Sequence, residues 1–303
     1  MSLTAILLLL LAAGFHAGWN LLGKQRRPSP STFLLAHTAG MLLLAAVVLP
    51  LYGGLLRQIP AAVWWALAAT GAFQALYYGA LAGAYAAGDL SIAYPLARSA
   101  PVLLITGISI LLGGGHQIGW GCVVGAVLIV AGCFLLPMRH FGDLRAGHYR
   151  NACVLLAALA AVGTTGYTLL DDAALRCLRA LPERGFGVLS APLVYLFAEA
   201  ASSSLWLGAY VAGRPADRTR LARALAEGKA AAATMGLGIF LAYGLVLVSY
   251  AYVRNVSYAA AFRQVSILIG VAIAAVRMRE PVSPPRWLGA ALAFAGLVLV
   301  ALG

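Results

Sequence analysis

Apolar runs long enough to cross a bilayer follow one another along nearly the whole chain. They lie near residues 3–22, 31–53, 61–86, 90–112 and 118–137, and again near 150–170, 186–212, 229–252, 256–276 and 285–302. About 20 apolar residues carry a helix across the hydrocarbon core. In lipid every backbone N–H and C=O needs a partner within its own segment, so runs of this length are helices. No run alternates in the period-2 manner of a barrel strand. The expected fold is an all-α integral membrane protein with ten transmembrane helices. Composition agrees: 62% of residues are hydrophobic, 10% are charged and the mean hydropathy is +0.90. A soluble domain runs near ~45–50% apolar and ~25% charged. Nucleic-acid binding is excluded with the soluble classes despite a formal charge of +12, because the basic residues sit in short loops, where they orient the chain or meet lipid headgroups. The polar stretches 138–149, 171–185 and 213–228 are expected to be loops, too short to hold a core of their own.

The chain repeats itself. Shifted by 165 residues, Gly71, Tyr78, Gly79, Tyr85 and Arg98 fall on Gly236, Tyr243, Gly244, Tyr250 and Arg263. Shifted by 164, GAVLIVAG (125–132) falls on GAALAFAG (289–296), and shifted by 148, GWNLLGK (18–24) falls on GYTLLDD (166–172). The change of offset marks an insertion near the seventh run. Residues 1–138 therefore form one five-helix unit, 150–303 a second, and 139–149 the link between them. An odd number of spans per unit forces the second to enter from the opposite face. The result is a 5+5 inverted-topology repeat, the architecture of alternating access around a midplane site. Duplication could also serve only to build a larger bundle.

HAGWNLLGK (16–24), which closes the first run, and GDLSIAYPLARSAP (88–101), which opens the fourth, resemble the EamA family of the drug/metabolite transporter superfamily. The resemblance covers essentially the whole chain. It implies secondary transport, often export, of a small metabolite through a cavity between the two halves, across a bacterial cytoplasmic membrane. The second copy departs from the pattern: RNVSYAAAFRQVS (254–266) keeps the arginine and lacks the Tyr-Pro pair, and Asp172 stands opposite Lys24.

Charge at mid-membrane depth costs a few kcal/mol or more, so such residues face protein or water. Arg98, Arg263 and Glu199 lie well inside apolar runs, as do the titratable His16 and His37. Pairing of Glu199 with one arginine is the structural option. Two arginines against one acid would still leave a guanidinium free for a carboxylate or phosphate-type group, which points to an anionic or zwitterionic substrate. His16, Trp19 and Asn20 form one stripe at helical spacing, and Ser91, Tyr94 and Arg98 form another. Pro95 and Pro101 withhold N–H groups, so the fourth span is expected to kink or break. Tyr78 and Tyr85 are matched by Tyr243 and Tyr250; these rings either pack or line the cavity. The expected substrate-binding set is thus His16, Trp19, Asn20, Tyr78, Tyr85, Ser91, Tyr94, Arg98, Glu199, Tyr243, Tyr250 and Arg263. His16 is also a candidate proton carrier.

Several chemistries lack their residues. There is no metal-diphosphate cluster, HExxH, Walker loop or GxSxG elbow, and Asp171–Asp172 reads as an isolated pair at a helix end. Lys24 and Lys229 lie at span ends, so neither can hold a retinal Schiff base at mid-helix. Cys122, Cys133, Cys153 and Cys177 form no CxxC pair and read as small buried side chains. No metal or cofactor is expected, and an enzyme acting on a lipid-linked substrate is the alternative without a catalytic constellation. With no ATP machinery, uphill movement must draw on a proton or solute gradient. The expected partners are the bilayer and a small-molecule substrate. Glycines seven apart in the fifth and tenth runs indicate close helix contact, between protomers of a homodimer or within the chain. MSLTAILLLLLAAG (1–14) has no basic residue before its apolar core and reads as a retained span rather than a signal peptide. Loop charge and family resemblance point opposite ways on orientation. If the N-terminus is cytoplasmic, the outside loops carry 14 Lys/Arg against five inside.

Overall fold

In the computed structural model the described residues are 1–24, 29–87, 90–136, 138–143, 152–277 and 283–303; side chains at 19–24, 85, 90–96, 227, 270 and 273–277 lie outside the description. Twelve α-helices run through the described residues, with no strand among them: α1 (Leu3–Lys24), α2 (Pro30–Leu56), α3 (Ala61–Ala87), α4 (Leu90–Leu111), α5 (Trp120–Leu135), α6 (Ala152–Arg179), α7 (Ser190–Ala212), α8 (Pro215–Glu227), α9 (Lys229–Ser249), α10 (Val256–Phe262), α11 (Val265–Arg277) and α12 (Pro284–Leu302). Four segments are long and apolar enough to cross a membrane by length and composition: α2, α6, α12 and Lys229–Tyr252, which is α9 with the turn that follows it. Shorter apolar helices cover Leu3–Gly18, Ala97–Leu111, Trp120–Leu135 and Val256–Ile269. Trp65, Leu111, Trp120 and Leu205 point outward, each more than 70% exposed. Water would penalise that belt, whereas lipid accepts it. This is a helical membrane protein.

Local chemistry sets several boundaries. Ser29 caps α2 reciprocally with Thr32, and Pro30 occupies the first turn, where a missing N–H does no harm. Asn255 caps α10 by accepting from the Ser257 N–H at 2.9 Å. In the loop after α5, Asp143 accepts from the N–H groups of Arg139 and His140. These two bonds hold its carboxyl below the usual carboxylate range.

Three expectations change. Residues 171–179 belong to α6, not to a loop: Asp172 pairs with Arg176 one turn later at 2.9 Å and the helix runs on to Arg179. Residues 215–227 form the surface helix α8, which docks on α2 where the Ser31 hydroxyl donates to the Asp217 carbonyl at 2.7 Å. The break expected at the prolines of the fourth span lies elsewhere. The α4 helix runs unbroken through Pro95 and Pro101, whereas the ninth span, which has no proline, divides at Arg263–Gln264. Neighbouring groups can satisfy backbone that proline frees in a membrane helix. In the ninth span the turn tightens to three-residue bonds, Gln264 to Ala261 and Ile267 to Gln264. Side chains then cap the freed carbonyls. The Gln264 amide donates to the Ala260 carbonyl at 3.2 Å, and the Ser266 hydroxyl donates to the Arg263 carbonyl at 3.0 Å.

The helices pack in definite pairs: α3 on α6 and α7, α9 on α1 and α2, α4 on α6, α1 on α11, α2 on α7, and α5 on α12. The α5–α12 seam is antiparallel and closed by glycine. A Cβ on Gly125 would lie 2.6 Å from the Gly296 carbonyl oxygen, and one on Gly289 would lie 2.7 Å from that of Gly132. The close contact expected of these glycines thus lies within one chain rather than between protomers.

Candidate functional site

A cavity of about 50 Å³ lies where α1, α2, α3, α4, α6, α7, α9 and the α10–α11 break converge. A water needs roughly 10–15 Å³ measured this way, so the space holds several waters or a small solute group. One wall is cationic. On α4, Arg98 Nη1 meets His16 Nε2 of α1 at 2.6 Å, and Arg98 Nη2 donates to the Ser266 hydroxyl of α11 at 3.0 Å. Since Ser266 in turn caps the Arg263 carbonyl, Arg98 reaches across and braces the broken helix. Arg263 sits at the break itself, its guanidinium 5.5 Å from the centroid of the Tyr243 ring.

The other wall carries one acid, Glu199; a second, Asp171, is buried without lining the cavity and is hydrogen-bonded to the cavity-lining Tyr243. Asp171 of α6 is fully buried and accepts from Thr70 at 2.9 Å, from Tyr195 at 2.7 Å and from the Tyr243 hydroxyl. Glu199 of α7, 2% exposed, accepts from the Gln74 amide on one oxygen, and its second oxygen has no partner. The Gln74 carbonyl accepts from Ser203 at 2.8 Å, which fixes the amide with its N–H₂ toward Glu199. Thr70 and Gln74 stand one turn apart on α3, and Tyr195 and Glu199 one turn apart on α7. The two acids therefore occupy successive rungs of one ladder. His37 of α2 is 2% exposed and its two ring nitrogens have no hydrogen-bond partner; its ring packs edge-on to Tyr78 and Phe240.

Comparison with known proteins adds a fold. No family model matches the sequence, and no curated protein matches it. A solved structure described as "Crystal structure of protein" superposes with a TM-score of 0.70 over 100% of this chain and 98% of its own, at 18% identity. At that identity the likeness extends to the fold alone.

Of the sequence-derived site residues, His16, Tyr78, Arg98, Glu199, Tyr243 and Arg263 line the cavity. Tyr250 is buried but does not line it. Trp19, Asn20, Tyr85, Ser91 and Tyr94 have side chains outside the described residues. Neither arginine forms an ion pair with Glu199, the structural option raised by the sequence; the ion pairs among the described residues are Arg176–Asp172, Arg184–Glu183 and Arg220–Asp217. The charge count also changes. Asp171, read as a helix end, is a second interior acid, so two arginines face two carboxyl groups and no cation is left over by counting. Asp171 could have been found from Asp172 and Arg176, whose four-residue spacing carries the helix on. Gln74 carries no charge and belongs to none of the polar stripes or matched tyrosines, so nothing in the sequence marks it. An amide there needs partners just as urgently.

Proposed function

We propose that this chain is a multi-pass secondary transporter of the cytoplasmic membrane, related to the EamA family. It moves a small anionic or zwitterionic metabolite by alternating access between two inverted five-helix repeats. The observation that carries this reading is the cavity itself: it is enclosed by helices from both halves, with Arg98 and Arg263 on one wall and Glu199, paired with neither, on the other.

Helix pairing supports the inverted repeat. Under the five-span correspondence α3–α6 is matched by α9–α1, α3–α7 by α9–α2, and α4–α6 by α11–α1; α2–α7 and α5–α12 map onto themselves. In α5–α12 Gly125 faces Gly296, and their counterparts Gly289 and Gly132 face each other, as an isologous contact requires. Gly71 approaches Ser202 and Trp206 of α7, while its counterpart Gly236 approaches Ala36 and Gly40 of α2. The broken ninth span beside the cavity fits a transporter too, because irregular backbone at membrane depth is tolerated where it lines a cavity. The cationic wall suits a carboxylate or phosphate-type group, since arginine stays charged at any working pH.

Purified protein in liposomes, offered a panel of labelled metabolites, tests the reading: a transporter delivers a substrate unmodified to the far side. Arg98→Gln should abolish flux while the protein still inserts, and Arg98→Lys should keep part of it. Full flux by an Arg98→Gln, Arg263→Gln double variant would overturn the anion-binding role. Chemically altered product on either side would favour an enzyme.

A further inference from the structure

We infer that Glu199 is a proton-binding site of the cavity: its carboxyl carries a proton in the conformation seen here, while Asp171 one rung away is ionised. The inference deepens the transport reading by naming the coupling ion, but its structural core does not need that reading.

The two acids are unequally served. Three hydroxyl donors converge on Asp171. Hydrogen bonds to an ionised acceptor are roughly twice as strong as neutral ones, so this set holds a carboxylate. Arg263 adds to the preference, because it stacks on Tyr243, whose hydroxyl is one of the three donors. Glu199 receives one neutral donor, Gln74, and leaves Oε2 bare although the residue is 2% exposed. An ionised oxygen buried without a donor is expensive, and a neighbouring carboxylate makes it more so. A protonated carboxyl resolves both problems and gives Oε2 a hydrogen to donate into the cavity.

The other titratable groups near the pair do not change the assignment. His16 Nε2 accepts from Arg98, which can only donate, so this nitrogen carries no proton in the conformation seen here. His37 lines the same cavity from α2 with both ring nitrogens unpartnered. Tyr77 and Tyr78 on α3 and Tyr167 on α6 complete the ring of ionisable side chains around the cavity. Asp172 is tied to Arg176 at the far side of α6. When the cavity opens to water, Glu199 ionises and its proton passes to solvent; the reverse step reloads it. Movement of substrate in the opposite direction would then be driven by the proton gradient.

Infrared spectroscopy of the full-length protein in lipid bilayers, with the proton as the only ligand, tests this. Wild-type protein at neutral pH should show the carbonyl stretch of a protonated carboxylic acid. The band should shift in D₂O, fall reversibly as pH rises, and be lost in Glu199→Gln but kept in Asp171→Asn. If Glu199→Gln fails to fold, Gln74→Met serves: loss of its hydrogen bond should move the band. A band absent at neutral pH, unmoved by the substitutions, lost in Asp171→Asn alone, or constant up to the pH of unfolding would overturn the site. A titrating Glu199 band in a protein without liposome flux would uphold the site and sink the transport reading instead.

Discussion

The first helix of each half starts alike and ends differently. At an offset of 148 residues, Ala5, Leu9, Ala12 and Ala13 of α1 are buried, as are Cys153, Ala157, Ala160 and Ala161 of α6. Leu7 and Leu11 face outward, and so do Leu155 and Leu159. Beyond that point the faces part. Phe15 is exposed where its counterpart Gly163 is buried against α3. A Cβ on Gly166 would lie 2.5 Å from the Phe73 ring, whereas one on its counterpart Gly18 would meet nothing within 4 Å among the described residues. The divergence begins at the level of His16, which reaches Arg98 across the cavity. The α3–α6 seam is therefore tight and the α1–α9 seam loose, and the facing side chains differ to match: Phe73 and Tyr77, which crowd Gly163 and Gly166, have Gly238 and Ala242 as counterparts at the 165-residue offset. Under the alternating access proposed above, such an inequality would correspond to one gate tight and the other slack.

Substitution should expose the difference, most sharply at Gly163. A Cβ there would sit 2.8 Å from the Phe73 carbonyl oxygen and 2.9 Å from the Tyr77 backbone nitrogen. Backbone cannot step aside as a side chain can, and overpacking costs about 1–3 kcal/mol or more. Gly163→Val should lie at or beyond the top of that range, read as a large drop in thermal midpoint of the detergent-purified protein. An unchanged midpoint would mean that the α3–α6 seam is not tight, and the contrast with α1–α9 would collapse.

The α5–α12 seam supplies a control in which the two halves should behave alike. Gly125 and Gly289 are counterparts, and a methyl on either would crowd a carbonyl oxygen of the facing glycine to nearly the same degree. Gly125→Ala and Gly289→Ala should each destabilise by about 1–3 kcal/mol and by similar amounts in the same thermal assay. Markedly unequal losses would show that the symmetry of this seam is only apparent. That result would also weaken the reading of the unequal α1 and α6 pair as a conformational difference.

How far the sequence foretold this depends on which force decides each feature. Burial of apolar runs is strong and local, so helices and most of their limits are legible from Leu3 to Leu302. The glycine spacing in α5 and α12 announces a close approach, though only packing tells which helix is approached. Proline misled at α4, because a membrane helix can keep its course past a lost N–H. The break at Arg263–Gln264 has no backbone signal; it rests on side chains of Gln264, Ser266 and, from another helix, Arg98. The pairing of Asp171 with Glu199 was hidden for a related reason. Four helices bring their partners together, and no spacing along one helix records it.

The smallest effect belongs to Gly18→Ala, and it is the most informative one. Alanine favours the helix over glycine by about 1 kcal/mol when nothing opposes it. Here no described atom lies within 4 Å of the new methyl, so the thermal midpoint should hold steady or rise slightly. Gly166→Ala, by contrast, must displace the Phe73 ring and should lose stability. If a locked-open α1–α9 seam is one end of a cycle, the same methyl ought to matter when that seam closes. Gly18→Ala would then leave stability intact yet slow transport, a separation of the two readouts that simple misfolding cannot produce. Equal destabilisation by Gly18→Ala and Gly166→Ala would instead place both seams in the same closed state, and the distinction between them would be lost.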